Sequence, residues 1–328
     1  MPVGSFDNIL INGEFLRELW GRSAQPQAPA RCEVWRQTFL ADRWKVRYAR
    51  PSGEALSQRR SARVPEESAS DCSLQLCGAT GVSEDIALGQ RVEASAARRY
   101  RRVLRFSARF FLEAEDYCQC PVKLVLGCAR EPDVFGGAFN ENVEELARIE
   151  LGALTANHWI YLEAEVDLQS AGPHGLSVEM EFPATVLSHP NNSIRVADVN
   201  LVRADAGCAV SSRPAALESF LARRYFQPHS GRLINCLGRV FALNRHELFF
   251  QFTFPEMRTL PSCSLPLGDE LLRIFNRNGL PQYGFIYDVT CRAAGSVIIR
   301  ATKENHAVED GYLAFTGVDG WIFLDAEL

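Results

Sequence analysis

The sequence predicts an all-β protein, and three observations support this prediction. Apolar and polar residues alternate along many segments, which is typical of strands with one buried and one wet face. These segments are short and follow one another without helices between them, a pattern that favours antiparallel sheets packed as a β-sandwich. Only one segment, near residues 214–225, has convincing helical spacing.

Strands can be placed along the first two thirds of the chain. Alternation is clearest over residues 104–112, with Phe111 as the exception, and over residues 160–168 and 176–182. Other short apolar segments predict strands near residues 7–11, 33–39, 43–48, 73–77, 84–93, 121–128, 146–153 and 194–203. The stretch from Ala49 to Asp71 is rich in Ser, Arg, Glu and Pro and predicts a mobile surface loop.

The predicted helix follows Ser211 and Ser212, either of which can cap it, and carries Pro214 in its first turn. Pro228 is expected to end it. The runs ELFFQFTF and SVIIRAT, among others, return to strand patterning afterwards. We therefore expect three parts: a β-sandwich over residues 1–208, a linking helix over residues 209–230 and a smaller β-domain over residues 231–328.

Composition excludes some classes of partner. The chain has 328 residues, of which 47% are hydrophobic and 23% charged, as in a soluble globular protein. A formal net charge of -5 provides no basic field for a phosphate backbone, so nucleic acid is not an expected partner. No run approaches the roughly 20 apolar residues of a membrane span, and the first residues lack a signal-peptide pattern. Membrane insertion is not expected, and folding in a bacterial cytoplasm is.

The ten cysteines are scattered among apolar segments rather than spaced as a disulfide scaffold. Most are expected to be buried free thiols. Cys118 and Cys120 flank a single residue, which is a poor spacing for a zinc pair.

Several short motifs resemble phage proteins. Asn8 to Phe15 (NILINGEF), followed by Trp20 and by Ala41 to Trp44 (ADRW), resembles the opening of phage tail-fibre and receptor-binding (spike) proteins that carry a jelly-roll domain similar to carbohydrate-binding modules. Four later landmarks follow in the order of that family: GQRVE from Gly89, LRFS from Leu104, IRVADVNLV from Ile194 and LESFLARRYFQ from Leu217. The stretch FLDAEL from Phe323 also resembles the closing strand of such fibre proteins. The likeness spans nearly the whole chain.

The resemblance implies a function in host attachment. The chain has no collagen-like repeat, coiled-coil heptads or long shaft, so it implies a short head or tail spike of a virion, or of a phage-derived particle such as a gene transfer agent. Its implied partners are host capsular polysaccharide and other particle proteins. Because repeated copies raise avidity, we expect a homo-oligomer.

The resemblance also implies a structural calcium ion, since jelly-roll binding modules often hold one. The matching positions are Asn12, Glu14 and Asp198. Three oxygens are fewer than the six to eight that calcium prefers, so backbone carbonyls would have to complete the shell. The alternative is that Asn12-Gly13 forms a simple turn.

Candidate sugar-binding residues lie on the predicted wet face of residues 159–167. Sugar recognition uses flat apolar rings and planar polar groups that share hydrogen bonds with hydroxyls. Trp159 and Tyr161 alternate there with Glu163, which is the composition of a glycan groove. The alternative is an ordinary solvated strand face with one packed aromatic residue.

Two further aromatic residues are secondary candidates. Tyr117 lies in a loop-like stretch, and Trp35 lies on a predicted strand among charged residues. Trp44 is assigned to the core.

Two other functions stay open: a polysaccharide depolymerase or deacetylase, and a purely structural head or tail adaptor. Asp133, Glu141, Glu144 and Glu145 form an acidic run, and paired carboxylates are what glycoside hydrolysis requires. Acidic loops are more commonly only solvated. The six histidines lack a zinc spacing, and the sequence contains no GxSxG, P-loop or GxGxxG motif. We therefore expect binding without catalysis.

Overall fold

The computed structural model describes residues 8–15, 35–39, 41, 43–49, 57–68, 70, 72–98, 103–114, 119–136, 140–168, 174–205, 213–230, 236–264, 272–276, 278, 280–282, 285–303, 311–315 and 321–326. The chain divides into two compact units, residues 1–219 and 220–327, and each is described by itself.

The N-terminal unit consists of two antiparallel sheets. Its strands, in chain order, are β1 (Trp35–Phe39), β2 (Lys45–Ala49), β3 (Ser57–Ser61), β4 (Ser73–Cys77), β5 (Ile86–Val92), β6 (Val103–Glu113), β7 (Cys120–Ala129), β8 (Val143–Leu154), β9 (Trp159–Asp167), β10 (Leu176–Phe182) and β11 (Ser193–Arg203). One sheet has the order β1-β2-β5-β10-β7-β8 and the other β3-β4-β11-β6-β9. The strands predicted within residues 33–203 are confirmed, with ends that differ by a few residues.

The core of this unit lies between the two sheets. Alternate residues of facing strands point inward and form one buried cluster, to which Phe106 and Phe110 of β6 and Met180 of β10 contribute. The ring centroids of Phe110 and Phe182 are 6.1 Å apart. Trp44 is 1% exposed, so its assignment to the core is confirmed. The outer faces of both sheets are left with the polar half of the alternation.

Residues 8–15 are not a strand, so the prediction of a strand near residues 7–11 is wrong for the part described. The segment is fixed by side chains instead. The Asn8 amide nitrogen donates to the carbonyl of Val199 at 3.2 Å, and its Oδ1 accepts from the backbone amide of Leu201 at 3.0 Å. The indole of Trp44 donates to the carbonyl of Asn12 at 2.8 Å. Short-range apolar patterning cannot distinguish such a docked turn from an edge strand.

The segment docks against an irregularity in β11. The pairing register of β11 with β6 shifts between Ala197 and Asn200, and Asp198 has a left-handed φ of 51°. The backbone amide of Val199 is thereby directed at the carbonyl of Gly13, to which it donates at 2.9 Å. Two motifs far apart in sequence, NILINGEF and IRVADVNLV, therefore meet in the fold.

The prediction of a loop over residues 49–71 is wrong for its middle part. Ser57–Ser61 forms β3, the edge strand of the five-stranded sheet, which pairs along its length with β4. Its sequence, SQRRS, is polar throughout, and the side chains of Arg59 and Arg60 are exposed. Composition therefore gave no strand signal.

Three helices are described: α1 (Ala94–Ala97), α2 (Ala184–Leu187) and α3 (Ala215–Arg223). The division between the two units falls inside α3. The predicted end of this helix at Pro228 is wrong, because Pro228 lies in a strand. Among the described residues, no helix is long and apolar enough to cross a membrane.

The C-terminal unit is also built from antiparallel strands. They are β12 (Phe226–Ser230), β13 (Cys236–Ala242), β14 (Glu247–Thr253), β15 (Ser262–Ser264), β16 (Leu272–Asn276), β17 (Pro281–Gln282), β18 (Ile286–Ala293), β19 (Ser296–Thr302), β20 (Gly311–Phe315) and β21 (Trp321–Asp325). They form a sheet of order β12-β21-β15 and one of order β17-β16-β20-β13-β14-β19-β18. Pro228 is tolerated because β12 is an edge strand. A second buried cluster, which includes Phe250, Ile274 and Ile299, forms the core of this unit.

The fold class is confirmed: an all-β chain with an N-terminal sandwich of jelly-roll type, a short helix and a second, smaller β unit. The prediction that most cysteines are buried agrees in part with the structure. Of those whose side chains are described, Cys72, Cys120 and Cys128 are buried. Three more, at 77, 263 and 291, are free and partly exposed.

Candidate functional site

A polar cleft of about 210 Å³ lies on the outer face of the six-stranded sheet. We call it the sheet cleft; it is lined by Arg47, Val125, Gly127, Asn140, Val143, Glu145, Arg148, Ser177, Glu179 and Glu181. These residues come from strands β2, β7, β8 and β10 and from the turn before β8. The pairing register brings them together, because Glu179 lies opposite Val125 and Val125 lies opposite Arg148.

Glu179 is the centre of one half of the cleft. Arg47 Nη2 donates to its Oε2 at 2.9 Å, and the amide nitrogen of Asn140 donates to its Oε1 at 2.7 Å. Asn140 Oδ1 in turn accepts from Arg91 at 2.6 Å. The side chains of Arg47 and Glu179 are only 18% and 13% exposed, so this floor is held in one geometry.

Arg148 organises the other half. Its Nε and Nη2 donate to the two carboxylate oxygens of Glu145, at 3.2 and 2.9 Å, and its Nη1 contacts the carboxylate of Glu181. The hydrogen bonds to Glu145 and Glu181 raise the pKa of the Arg148 guanidinium above its ordinary value. Arg148 and Glu145 are about half exposed, whereas Glu181 is 13% exposed. A ligand in the cleft therefore meets fixed charges whose outer edges are open to solvent.

Small residues on the floor of the sheet cleft leave room for a ligand. A Cβ on Gly127 would lie 2.3 Å from a methyl carbon of Val143, which lines the cleft beside it. Ser177 lies opposite Gly127 in the pairing of β10 with β7. The depth of the cleft thus depends on two small residues, Gly127 and Ser177.

Most of these residues were not singled out from the sequence. Glu179 and Glu181 fall on the polar side of an alternating strand, a signal for a wet face but not for a site. Glu145 belongs to the predicted acidic run, whereas Asp133 of the same run accepts a hydrogen bond from the Ala94 amide at the start of α1. The order of the strands in the sheet brings the residues of the cleft together, and that order cannot be read from the sequence.

Two of the predicted aromatic candidates, Trp159 and Tyr161, lie on the opposite sheet, on β9. The wet face is confirmed there: Tyr161 is 51% exposed and Glu163 is exposed. The Tyr161 hydroxyl donates to Glu163 Oε2 at 3.0 Å. Partial burial, with the hydrogen bond to Glu163 adding to it, raises the pKa of that hydroxyl. We call Trp159, Tyr161 and Glu163 the β9 ledge.

The ring of Trp159 is only partly available for contact with a sugar. Its ring packs against Phe111 with 5.6 Å between centroids, and the Arg63 guanidinium lies 3.8 Å from the centre of the Phe111 ring. Phe111 is 1% exposed although it is on the outer face of the sheet, which explains its exception to the alternation. Tyr117 lies outside the described residues, and Trp35 is described only as part of the backbone of β1.

The predicted calcium ligands lie where residues 8–15 meet β11. Glu14 and Asp198 are close enough for their charges to interact, and Glu218 of α3 joins them. Glu218 Oε2 accepts from the backbone amide of Asn12 at 2.6 Å, and its Oε1 lies 2.6 Å from Arg213 Nη1. We call Glu14, Asp198, Glu218 and Arg213 the acidic cluster.

The acidic cluster does not fit a resident calcium ion as it is arranged. Asp198 is engaged by the Ser68 hydroxyl at 2.7 Å and by Arg109 Nε at 3.5 Å, and Glu218 is engaged by Arg213. Calcium wants six to eight oxygens. Among the described residues, no group of three or more His, Cys, Asp and Glu side chains is placed to hold a metal ion. Calcium stays a prediction, to be tested by melting with and without EDTA.

The raised pKa of Glu14 predicts that the stability of the folded protein depends on pH. Burial raises its pKa from 4.5 to about 7, with Glu218 and Asp198 adding to the shift and Arg213 opposing it. As pH rises from about 4.5 to about 7, the unfolded chain releases a proton that the folded chain retains, so the free energy of unfolding falls. Glu14→Gln carries no charge at either end of this window. We expect wild type and variant to have similar urea midpoints near pH 4.5 and the variant to have the higher midpoint at pH 8.

Glu67→Gln is the matched control, since the Glu67 side chain is 81% exposed and pairs only at the surface with Arg109. Its midpoints should follow wild type at both pH values. A Glu14→Gln midpoint at or below that of wild type at pH 8 would contradict the raised pKa. If added calcium raises the wild-type midpoint at pH 8 and leaves that of Glu14→Gln unchanged, the calcium prediction is supported instead.

Comparisons with known proteins give partial likenesses. No protein-family model and no curated protein sequence matches the chain. Among solved structures, the enzymatically active domain of bacteriophage CBA120 tailspike protein 4 is similar to 60% of this chain at 10% identity and a TM-score of 0.36. The CBM22-2 xylan-binding domain of Paenibacillus barcinonensis Xyn10C is similar to 53% of it at 15% identity and a TM-score of 0.32. TmCBM61 in complex with β-1,4-galactotriose is similar to 60% at 17% identity and a TM-score of 0.28.

The matched region spans 21% of the tailspike chain, but 93% and 98% of the two binding modules. At these identities and TM-scores, function has to be argued from the residues themselves.

Proposed function

We propose that this chain binds a polysaccharide through the sheet cleft and does not cleave it. We further propose that it acts at the surface of a virion or phage-like particle, as a head or tail spike that attaches to host capsular polysaccharide. The observation that carries the proposal is the cleft itself: a concave site whose amide, carboxylate and guanidinium groups are held in place by one another. The particle context rests on the sequence motifs alone.

The chemistry of the cleft suits hydroxyl-rich ligands. A sugar ring presents several neighbouring hydroxyls, each both a donor and an acceptor, and charged partners make the stronger hydrogen bonds. Glu145 offers acceptors and Arg148 offers donors a few ångströms apart. Because both are already paired, a sugar shares their hydrogen bonds without demanding that a buried charge lose its partner.

The size of the cleft suits a segment of a chain. Pockets that enclose a drug-sized ligand hold roughly 300–1,000 Å³, whereas the sheet cleft holds about 210 Å³. We therefore propose that one or two sugar residues of a longer polymer occupy it. Such a site binds weakly alone, and repeated copies of the chain on one particle supply the avidity.

The pairing of the carboxylates supports binding over hydrolysis. Glycoside hydrolysis by two carboxyl groups requires one of them to be protonated and to deliver that proton to the leaving oxygen. In the cleft, Glu179 accepts from Arg47, and Glu145 and Glu181 share Arg148. Carboxylates held by guanidinium groups are placed to accept hydrogen bonds from sugar hydroxyls. Release of reducing ends or acetate from the polymer by the purified protein would contradict binding without catalysis.

Arg148→Ala tests the proposed site. Losing hydrogen bonds to a charged group costs about 1.5–3 kcal/mol, so retention on capsule-bearing cells should fall roughly tenfold or more. Arg203→Ala is the matched control, because Arg203 forms an exposed pair with Asp205 away from the cleft and should leave retention unchanged. Binding is measured on capsule-positive and capsule-negative cells, and thermal melts check that each variant is folded.

Two outcomes would count against the proposal. Equal retention of wild type on both cell types would reject capsule binding and favour a structural adaptor. Loss of binding in Trp159→Ala and Tyr161→Ala, but not in Arg148→Ala, would move the site to the β9 ledge.

A further inference from the structure

Two thiols meet in the C-terminal unit. Cys263 lies in β15 of the three-stranded sheet, and Cys291 lies in β18 of the seven-stranded sheet, so pairing of neighbouring strands does not bring them together. Cα atoms of the two strands nevertheless lie within 8 Å of each other, and the two thiols are close enough for each to affect the pKa of the other. Both are free, partly buried and packed against the same apolar core.

We propose that Cys263 and Cys291 are joined by a reversible disulfide that links the two sheets of this unit. Two thiols on strands that approach this closely, and that pack against one apolar cluster, need only a small movement to reach bonding distance. The placement gives the link a structural role. Within the described strands, β15 is the last strand of the order β12-β21-β15 and β18 is the last strand of its own sheet. A covalent bond would secure an edge strand of each sheet.

The proposed oxidant is a small-molecule disulfide such as glutathione disulfide. The Cys291 thiolate attacks one sulfur of the oxidant, forms a mixed disulfide and displaces one glutathione thiolate, which takes up a proton. Cys263 then loses its proton and attacks the Cys291 sulfur, displacing the second glutathione thiolate. Two protein thiols give up two electrons and two protons, and one glutathione disulfide becomes two glutathione thiols.

The environment of the pair sets the order and the speed of these steps. Burial raises the pKa of the Cys263 thiol to about 12, and Cys291 adds to that shift. Burial also raises the pKa of Cys291, but the hydrogen bond from Cys263 acts in the opposite direction. Cys291 therefore ionises more readily and attacks first. Both thiols are largely protonated at neutral pH, so the pair is expected to oxidise slowly at pH 7 and faster at pH 9.

The test uses the full-length protein, oxidised with glutathione disulfide or reduced with dithiothreitol and then alkylated. Peptide mapping by mass spectrometry without reduction should recover the Cys263 and Cys291 peptides as one linked species, about 2 Da lighter than their sum because two hydrogens leave. Oxidation should also raise the thermal midpoint of wild type. It should not raise that of Cys263→Ala, a substitution that keeps a small apolar side chain.

Cys77→Ala is the matched control, since Cys77 is also free and partly exposed but lies in the N-terminal unit. It should leave the yield of the linked peptide unchanged. Recovery of Cys263 and Cys291 only as separate glutathione adducts or separately alkylated peptides would overturn the proposal. So would cross-links to other cysteines in the same yield. The mapping needs no variant, and its outcome does not depend on sugar binding.

Discussion

Gly13→Ala is expected to lower the free energy of unfolding of the N-terminal unit by about 3 kcal/mol or more. A Cβ at this position would lie 2.0 Å from the carbonyl oxygen of Val199. That neighbour is backbone of β11, which pairs with β6 on either side of it, up to Ala197 and again from Asn200, so it has little freedom to move away. The docked segment must move instead, and the hydrogen bond from the Val199 amide to the Gly13 carbonyl is lost with it.

The loss of stability extends beyond the Gly13 contact, because the hydrogen bonds of the Asn8 side chain depend on the same close approach of residues 8–15 to β11. Its side chain donates to the Val199 carbonyl and to Asn200 Oδ1, and accepts from the amides of Leu10 and Leu201. All these bonds are buried. Once the segment shifts, their donors and acceptors are left unpaired in the interior, and each such group costs about 1–3 kcal/mol.

Urea denaturation of Gly13→Ala measures this effect. Gly295→Ala in the C-terminal unit is the control, because its added methyl would meet no atom nearer than 3.3 Å among the described residues and should cost less than about 1 kcal/mol. If the two glycine variants unfold at similar urea concentrations, the close approach of Gly13 to β11 does not hold.

The strands that the sequence predicted best are those in which one face is buried and the other wet. β6, β9 and β10 were placed within about two residues, because the period-2 alternation of residues such as Phe106, Leu162 and Val178 records which side meets the core. A sandwich imposes this pattern on both sheets. The fold class could therefore be predicted without knowing how any strand pairs.

Segments that are held by something other than an apolar face could not be predicted. β3 is a strand because its backbone pairs with β4, while its exposed Arg59 and Arg60 resemble loop residues. Residues 9–11 resemble a strand because they are apolar, yet the buried side-chain amides of Asn8 and Gln90 hold this segment as a turn. In both cases a tertiary partner overrides the local signal.

The candidate site was predictable only where it lies on one strand. The β9 ledge is visible in the sequence, since Trp159, Tyr161 and Glu163 share a face by alternation alone. The sheet cleft is assembled across four strands, and Arg47 reaches Glu179 across 132 positions of the chain. Two residues so far apart in the chain leave no local sequence pattern from which their contact could be predicted.

Arg213→Ala is expected to destabilise the N-terminal unit by about 3–5 kcal/mol, the usual cost of removing one partner from a buried ion pair. The side chains of Arg213 and Glu218 are each 8% exposed, with 2.6 Å between Nη1 and Oε1. Arg213 also donates to the carbonyl of Leu10 at 3.0 Å. Without it, the carboxyl groups of Glu14, Asp198 and Glu218 face one another and lose one of the cations that offset them.

The loss should depend on pH, and a second substitution should repair it. Because the pKa of Glu14 is raised to about 7, its carboxyl group is protonated at pH 5 and ionised at pH 8, so the deficit of Arg213→Ala in urea midpoint should be smaller at pH 5 than at pH 8. Adding Glu218→Gln removes the unpaired charge but keeps an acceptor for the Asn12 amide, and should recover much of the stability. Arg203→Ala, which breaks the exposed pair with Asp205, should cost less than about 1 kcal/mol. A deficit in Arg213→Ala no larger than that of Arg203→Ala at pH 8 would show that the acidic cluster does not depend on its arginine.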